Sequence, residues 1–122
     1  MAVTIRAEPL GGRAVVIHLE GDVDIVTARE VRDWVFDLLD NSPGEVELIV
    51  VDLSESDFLD SSGLGALVAV YRRVHAQERS FCVASPAPMV ARILEVSGLD
   101  QAWRVYPSAA EAIAALPPQE QN

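Results

Sequence analysis

Asp60, Ser61, Ser62 and Gly63 place a carboxylate, two adjacent hydroxyls and a glycine side by side. Such a grouping can serve acyl transfer, nucleotide binding, metal binding or phosphoryl acceptance. A serine-hydrolase elbow needs glycine two places before the nucleophile. Leu59 stands there for Ser61 and Asp60 for Ser62. Neither histidine is placed as a general base, because His18 and His75 fall inside a strand pattern and a helix pattern. Asp60 is too acidic to serve as a base at neutral pH without strong desolvation. No catalytic residue, and no enzyme, is expected. Gly63-Leu64-Gly65-Ala66-Leu67-Val68 has two glycines of a dinucleotide fingerprint but valine at the third position. The chain has no lysine, which excludes a P-loop. Asp22, Asp24, Asp57 and Asp60 are the carboxylates nearest a candidate divalent-cation site, yet such acids more often solvate loops and helix starts. No histidine or cysteine stands at metal-ligand spacing, and neither metal nor cofactor is expected. A hydroxyl at a helix start caps free N–H groups, and the same donors favour a phosphate. The residues themselves leave open a capped helix start and a phosphorylation switch.

The elements that must hold this loop are readable from periodicity. Residues 46–53 form an almost continuous apolar run, the pattern of a strand buried on both faces. After the loop a helix is expected with Ser62 as its N-cap, running to about Gln77. Leu64, Leu67, Val68, Tyr71 and Val74 would form its buried stripe. Upstream, residues 3–7 and 13–21 read as a hairpin turned by Pro9, Gly11 and Gly12. Thr27 and Glu30 fit a capping box that opens a helix with Val31, Trp34, Val35, Leu38 and Leu39 inward. Residues 80–84 form a further strand. Ser85 then Pro86 suggests a cap and first turn, with Met89, Val90, Ile93 and Leu94 inward and a stop at Gly98. Residues 102–106 add a last strand, and Ser108 with Glu111 caps a helix through Leu116. A hairpin followed by alternating helices and strands implies an α/β fold. It should be one mixed sheet of about four to five strands with about four helices. The domain is expected over residues 1–118, with 119–122 a disordered polar tail.

The chain has 122 residues, half of them hydrophobic, which suits a single domain with a real core. Nineteen acids against nine bases, all arginine, give a formal charge of −10. That balance argues against nucleic acid and against an anionic membrane surface. It suits either a basic protein partner or a soluble domain that repels its copies, and it favours a monomer when free. The single cysteine, Cys82, excludes an internal disulfide and reads as a small core residue. With no apolar run long enough to span a bilayer and no signal-peptide layout, the expected location is the cytoplasm.

Phe58-Leu59-Asp60-Ser61-Ser62-Gly63-Leu64-Gly65, after a strand ending Val51-Asp52-Leu53, resembles the signature of the STAS family. More narrowly it resembles the bacterial anti-sigma factor antagonists. Leu19-Glu20-Gly21-Asp22-Val23-Asp24, followed by Thr27-Ala28, is similar to that family's entry into its first helix. The resemblance covers nearly the whole chain. It implies a single STAS-like domain and a partner switch. The serine after the aspartate, here Ser61, would be phosphorylated by an anti-sigma factor that is also an ATP-dependent serine kinase. Ser62 is the alternative acceptor. The unphosphorylated form would bind that kinase and release a sigma factor, and a metal-dependent serine phosphatase would reset the cycle. Asp22, Asp24, Thr27, Asp60, Ser61, Ser62 and Gly63 would form the contact surface; Arg72 and Arg73 on the following helix could extend it, but read more readily as an ordinary solvated face. The other reading of the same family is a scaffold or sensor module in a stress-signalling complex, or a ligand-binding STAS domain.

Overall fold

The computed structural model describes residues 3–117. Five strands form one sheet in the order of the chain: β1 (Thr4–Leu10), β2 (Ala14–Glu20), β3 (Leu48–Glu55), β4 (Ser80–Ala84) and β5 (Arg104–Tyr106). β1 and β2 are antiparallel, and the other pairs are parallel. The helices are α1 (Ala28–Asp40), α2 (Ser61–Ala76), α3 (Pro88–Ser97), α4 (Leu99–Ala102) and α5 (Ala109–Ala114). The fifth helix arises because Gly98, at φ +79°, stops α3 and the chain at once turns into α4.

Alternation along the strands sorts side chains to two faces. Val15, Ile17 and Leu19 of β2, with Ile49, Val51 and Leu53 of β3, pack under α1, α2 and α3. Ala14, Val16, Leu48, Val50, Cys82 and Ala84 face the other way and meet α5. β3 is therefore covered on both faces, as its continuous apolar run requires. Right-handed crossovers from β2, β3 and β4 carry α1 to α3 to one face. They also leave the exits of those strands at one edge of the sheet, where the Asp60 loop lies. Cys82 is a buried core residue, and desolvation pushes its thiol up to about 12.

Several local expectations shift. Pro9 lies inside β1, which tolerates it as an edge strand, while Gly11 and Gly12 alone take positive φ in the turn. Val31, Val35 and Leu39 of α1 are buried, but Trp34 is partly exposed. On α2 the buried stripe runs through Gly63, Ala66, Leu67, Val70 and Val74, so Leu64, Val68 and Tyr71 lie at its margin. Ser85 does not cap α3: it sits at φ +51° and its hydroxyl donates to the Pro107 carbonyl at 2.9 Å. α3 starts at a second proline, Pro88, with Met89 exposed and Val90 and Leu94 inward. Ser108 does cap α5, accepting from the Glu111 N–H at 3.1 Å. His18 is a half-buried strand residue between Glu8, at 2.9 Å, and Asp52, at 3.0 Å. Residues 118–122, including the expected tail, lie outside the described residues.

Candidate functional site

The site is built where the exit of β2 meets the exit of β3. Between His18 and Glu20 the β2–β3 register slips by one residue, so that His18 pairs with Asp52 and Glu20 with Glu55. Gly21, at φ +105°, then turns the chain, and its N–H reaches the Glu55 carbonyl at 3.0 Å. Pairing resumes beyond the strands: Val23 bridges Leu59 in parallel. The Val23 N–H donates to Phe58 at 3.1 Å, and its carbonyl accepts from the Asp60 N–H at 3.3 Å. The two loops are thus hydrogen-bonded as a short extension of the sheet.

Side chains lock each loop. Asp24 Oδ1 accepts from the N–H groups of Val26, at 2.9 Å, and Thr27, at 3.1 Å. The Thr27 N–H bond above all holds the Asp24 carboxyl below its ordinary value. Thr27 is buried, and its hydroxyl donates to the Asp22 carbonyl at 2.7 Å and accepts from the Asp24 N–H at 3.0 Å. The expected capping box with Glu30 does not form, because the Thr27 side chain is turned back into this loop and makes no cap bond to α1. Asp24 does the local work instead, as an aspartate in a turn commonly does.

Asp60, not Ser62, is the N-cap of α2. Its Oδ1 accepts from the Gly63 N–H at 2.9 Å, and its Oδ2 from the Ile25 N–H at 3.1 Å. One carboxylate thereby fastens the helix start and the neighbouring loop together. A longer-reaching acceptor beats the serine here, because Asp60 has the extended backbone of a cap residue while Ser61 and Ser62 are already in the first helical turn. Ser61 is exposed and Ser62 is half-buried. Their N–H groups belong to the first turn, where a helix offers no acceptor, so the position favours negative charge.

Gly63 is buried against the β2 loop. A Cβ there would press into the Val23 carbonyl oxygen and lie 2.6 Å from Leu59 Cδ1. Glycine at this position is a packing requirement, whereas a Cβ at Gly65 would meet open space.

All seven expected contact residues therefore come together at one edge of the sheet. Asp24, Thr27, Asp60 and Gly63 are occupied in building the platform, and Ser61 is presented on it. Asp22 contributes its carbonyl, and Asp57 is exposed on the loop. Arg73 does not extend the surface: it pairs with Asp40 at 2.8 Å and lies 4.2 Å over the Phe36 ring, joining α2 to α1. Arg72 is exposed. Among the described residues no group of three or more His, Cys, Asp or Glu side chains is placed to hold a metal ion. Sequence reasoning missed three exposed apolar side chains on the two loops of the site: Ile25 is 78% exposed, Val26 75% and Phe58 41%. Their signal was present, since Ile25 and Val26 precede α1 and fall outside its buried stripe.

A mixed five-stranded sheet with an aspartate-capped second helix following its central strand is the architecture of a STAS domain. The chain belongs to the STAS family, whose model matches residues 7–112. It is 29% identical to an anti-sigma F factor antagonist of Paenibacillus polymyxa, over 83% of this chain and 85% of that one. Among solved structures it is similar to an anti-sigma factor antagonist from Mycobacterium paratuberculosis, with a TM-score of 0.80 and 30% identity. That match covers 93% of this chain and 92% of that one. It is also similar to the phosphorylated form of the Bacillus cell fate determinant SpoIIAA, with a TM-score of 0.69 and 25% identity over 91% and 97% of the two chains. No described helix is long and apolar enough to cross a membrane.

Proposed function

We propose that this chain is an anti-sigma factor antagonist whose binding is controlled by phosphorylation of Ser61. In this reading the unphosphorylated chain binds an anti-sigma factor that is also a serine kinase, so that a sigma factor is released. A metal-dependent serine phosphatase restores the binding form, and the chain itself performs no catalysis. The observation that carries the proposal is the exposed Ser61 hydroxyl at the first turn of α2, on a platform fixed by Asp60. The half-buried Ser62 is the poorer acceptor because a kinase must reach the hydroxyl. The anti-sigma factor antagonists to which the chain is similar, one of them solved in a phosphorylated form, support the same reading.

Phosphorylation adds about −1.5 to −2 charges at a surface that already carries Asp60 and, overall, an excess of acids. First-turn N–H groups stabilise the phosphate on the free chain, while docking would have to desolvate it. A loss of about 3 kcal/mol weakens binding more than a hundredfold, enough for a switch. The test is intact mass after incubation with ATP and candidate kinases from the same genome, with Ser61→Ala and Ser62→Ala in parallel. One added phosphate that disappears only in Ser61→Ala is expected. Its disappearance only in Ser62→Ala, or a Ser61→Asp variant that binds the kinase as tightly as wild type, would overturn the assignment.

A further inference from the structure

Beside Ser61 the outer surface is not uniformly acidic. α1 and α2 run side by side, and between them lies an open groove. Its floor is made by small residues, Ala28 of α1 and Gly65, Ala66 and Ala69 of α2. Ile25 and Ser62 stand at its head, and Arg29 and Arg32 form its α1 wall. Arg29 is exposed and has no ion-pair partner among the described residues. Arg32 is bonded only to its exposed neighbour Asp33 at 3.1 Å, a surface pair that contributes little. In a chain of net charge −10 that has nine bases, two of them line this one groove.

Ile25 and Val26 lie at the same end. Exposing two adjacent aliphatic side chains to water is unfavourable unless they are covered on binding. They are also held still: Asp60 takes the Ile25 N–H and Asp24 takes the Val26 N–H. A rigid, pre-formed apolar contact loses little side-chain and loop entropy when a partner docks.

We infer that the kinase docks on the α1 side of Ser61, laying along the α1–α2 groove a segment that carries aliphatic side chains flanked by carboxylates. This rests on the proposed function and deepens it by naming the chemistry of the partner's surface. The aliphatic groups cover Ile25 and Val26, the small floor lets the partner's backbone come close, and the carboxylates meet Arg29 and Arg32. A phosphate on Ser61 adds negative charge at the head of this groove and cancels its attraction for an acidic segment.

The test measures binding by titration calorimetry between the purified chain and the kinase from the same genome that modifies it, in the presence of ADP. The variants are Arg29→Glu, Gly65→Leu and, on the β4–α3 side, Met89→Glu. Gly65→Leu puts a side chain into the groove from a position where the added Cβ meets nothing within 4 Å. Thermal melts confirm that each variant is folded. Arg29→Glu and Gly65→Leu should each weaken binding by about tenfold or more, while Met89→Glu should stay within about twofold. Added salt should weaken wild-type binding more than it weakens an Arg29→Ala variant. Weakening by Met89→Glu alone would put the partner on the other side and overturn the inference, leaving the proposed function standing. A wild-type chain that forms a dimer which Arg29→Glu dissolves would assign the groove to a second copy and overturn it too. If no candidate kinase binds wild type, the proposed function fails and the docking inference fails with it.

Discussion

Gly63 and Gly65 sit two residues apart in α2, and the same substitution at each should have opposite signs. In a helix interior, glycine is less favourable than alanine by about 0.8–1 kcal/mol. At Gly65 nothing opposes that gain, so Gly65→Ala should stabilise the fold by about 0.5–1 kcal/mol. At Gly63 the new methyl group meets a backbone carbonyl, Val23 O, and the buried Leu59 side chain. A backbone oxygen cannot swing aside as a flexible side chain would. The helix start must back away from the β2 loop, straining the Asp60 N–H to Val23 and Ile25 N–H to Asp60 bonds. Contact this close with a backbone atom belongs in the upper half of the about 1–3 kcal/mol that overpacking costs, about 2–3 kcal/mol, which leaves Gly63→Ala destabilised by about 1–2 kcal/mol after the propensity gain. The two variants should then differ by about 2–3 kcal/mol, or several degrees in Tm for a domain of this size. Urea unfolding followed by the fluorescence of the buried Trp103 and by circular dichroism would measure both. A Gly63→Ala protein as stable as wild type would refute the reasoning, since it would show that the two loops are not in tight contact.

Asp60→Ala removes the cap of α2 and the acceptor for Ile25, and should cost about 1–2 kcal/mol in urea unfolding; a loss below about 0.3 kcal/mol would mean that water replaces both bonds equally well. Ser56 is fully buried, and its hydroxyl has no hydrogen-bond partner among the described residues. Ser56→Ala should therefore be neutral or stabilising by up to about 1 kcal/mol, whereas a clear loss would reveal a bond that the hydroxyl makes. Asp24 has its folded-state carboxyl held low by the Thr27 N–H, so the unfolded state binds more protons as pH falls toward the ordinary carboxylate range. Its stabilising contribution is complete above about pH 4 and is lost as pH falls through its lowered folded value. Asp24→Asn should flatten the acid limb of the urea midpoint below about pH 4, and an unchanged slope would assign that limb to other carboxylates such as Glu47, which Arg13 holds low.

The sequence by itself determined the succession of strands and helices along the chain, the burial of β3 on both faces and the presence of a hydroxyl-bearing loop between β3 and α2. These depend on periodicity and on residue types adjacent in the chain, and both are local. The family resemblance, carried by Asp60-Ser61-Ser62-Gly63 and by Gly21-Asp22-Val23-Asp24, is likewise written in contiguous residues. The capping roles were misread because local patterns offered several chemically equivalent oxygens. Thr27 with Glu30 fits a capping box, yet the Thr27 hydroxyl is drawn back to Asp22. Ser62 could cap α2, yet Asp60 can satisfy Gly63 and a second N–H at Ile25, thirty-five residues away, with its two oxygens. No local rule sees that second donor. The same holds for Gly63, whose need for glycine is imposed by the Val23 carbonyl, and for Arg73, which the packing of α1 on α2 commits to Asp40. Tertiary structure alone decided which loop residues build the platform and which remain free, because a polar group's role depends on the partners the fold brings to it.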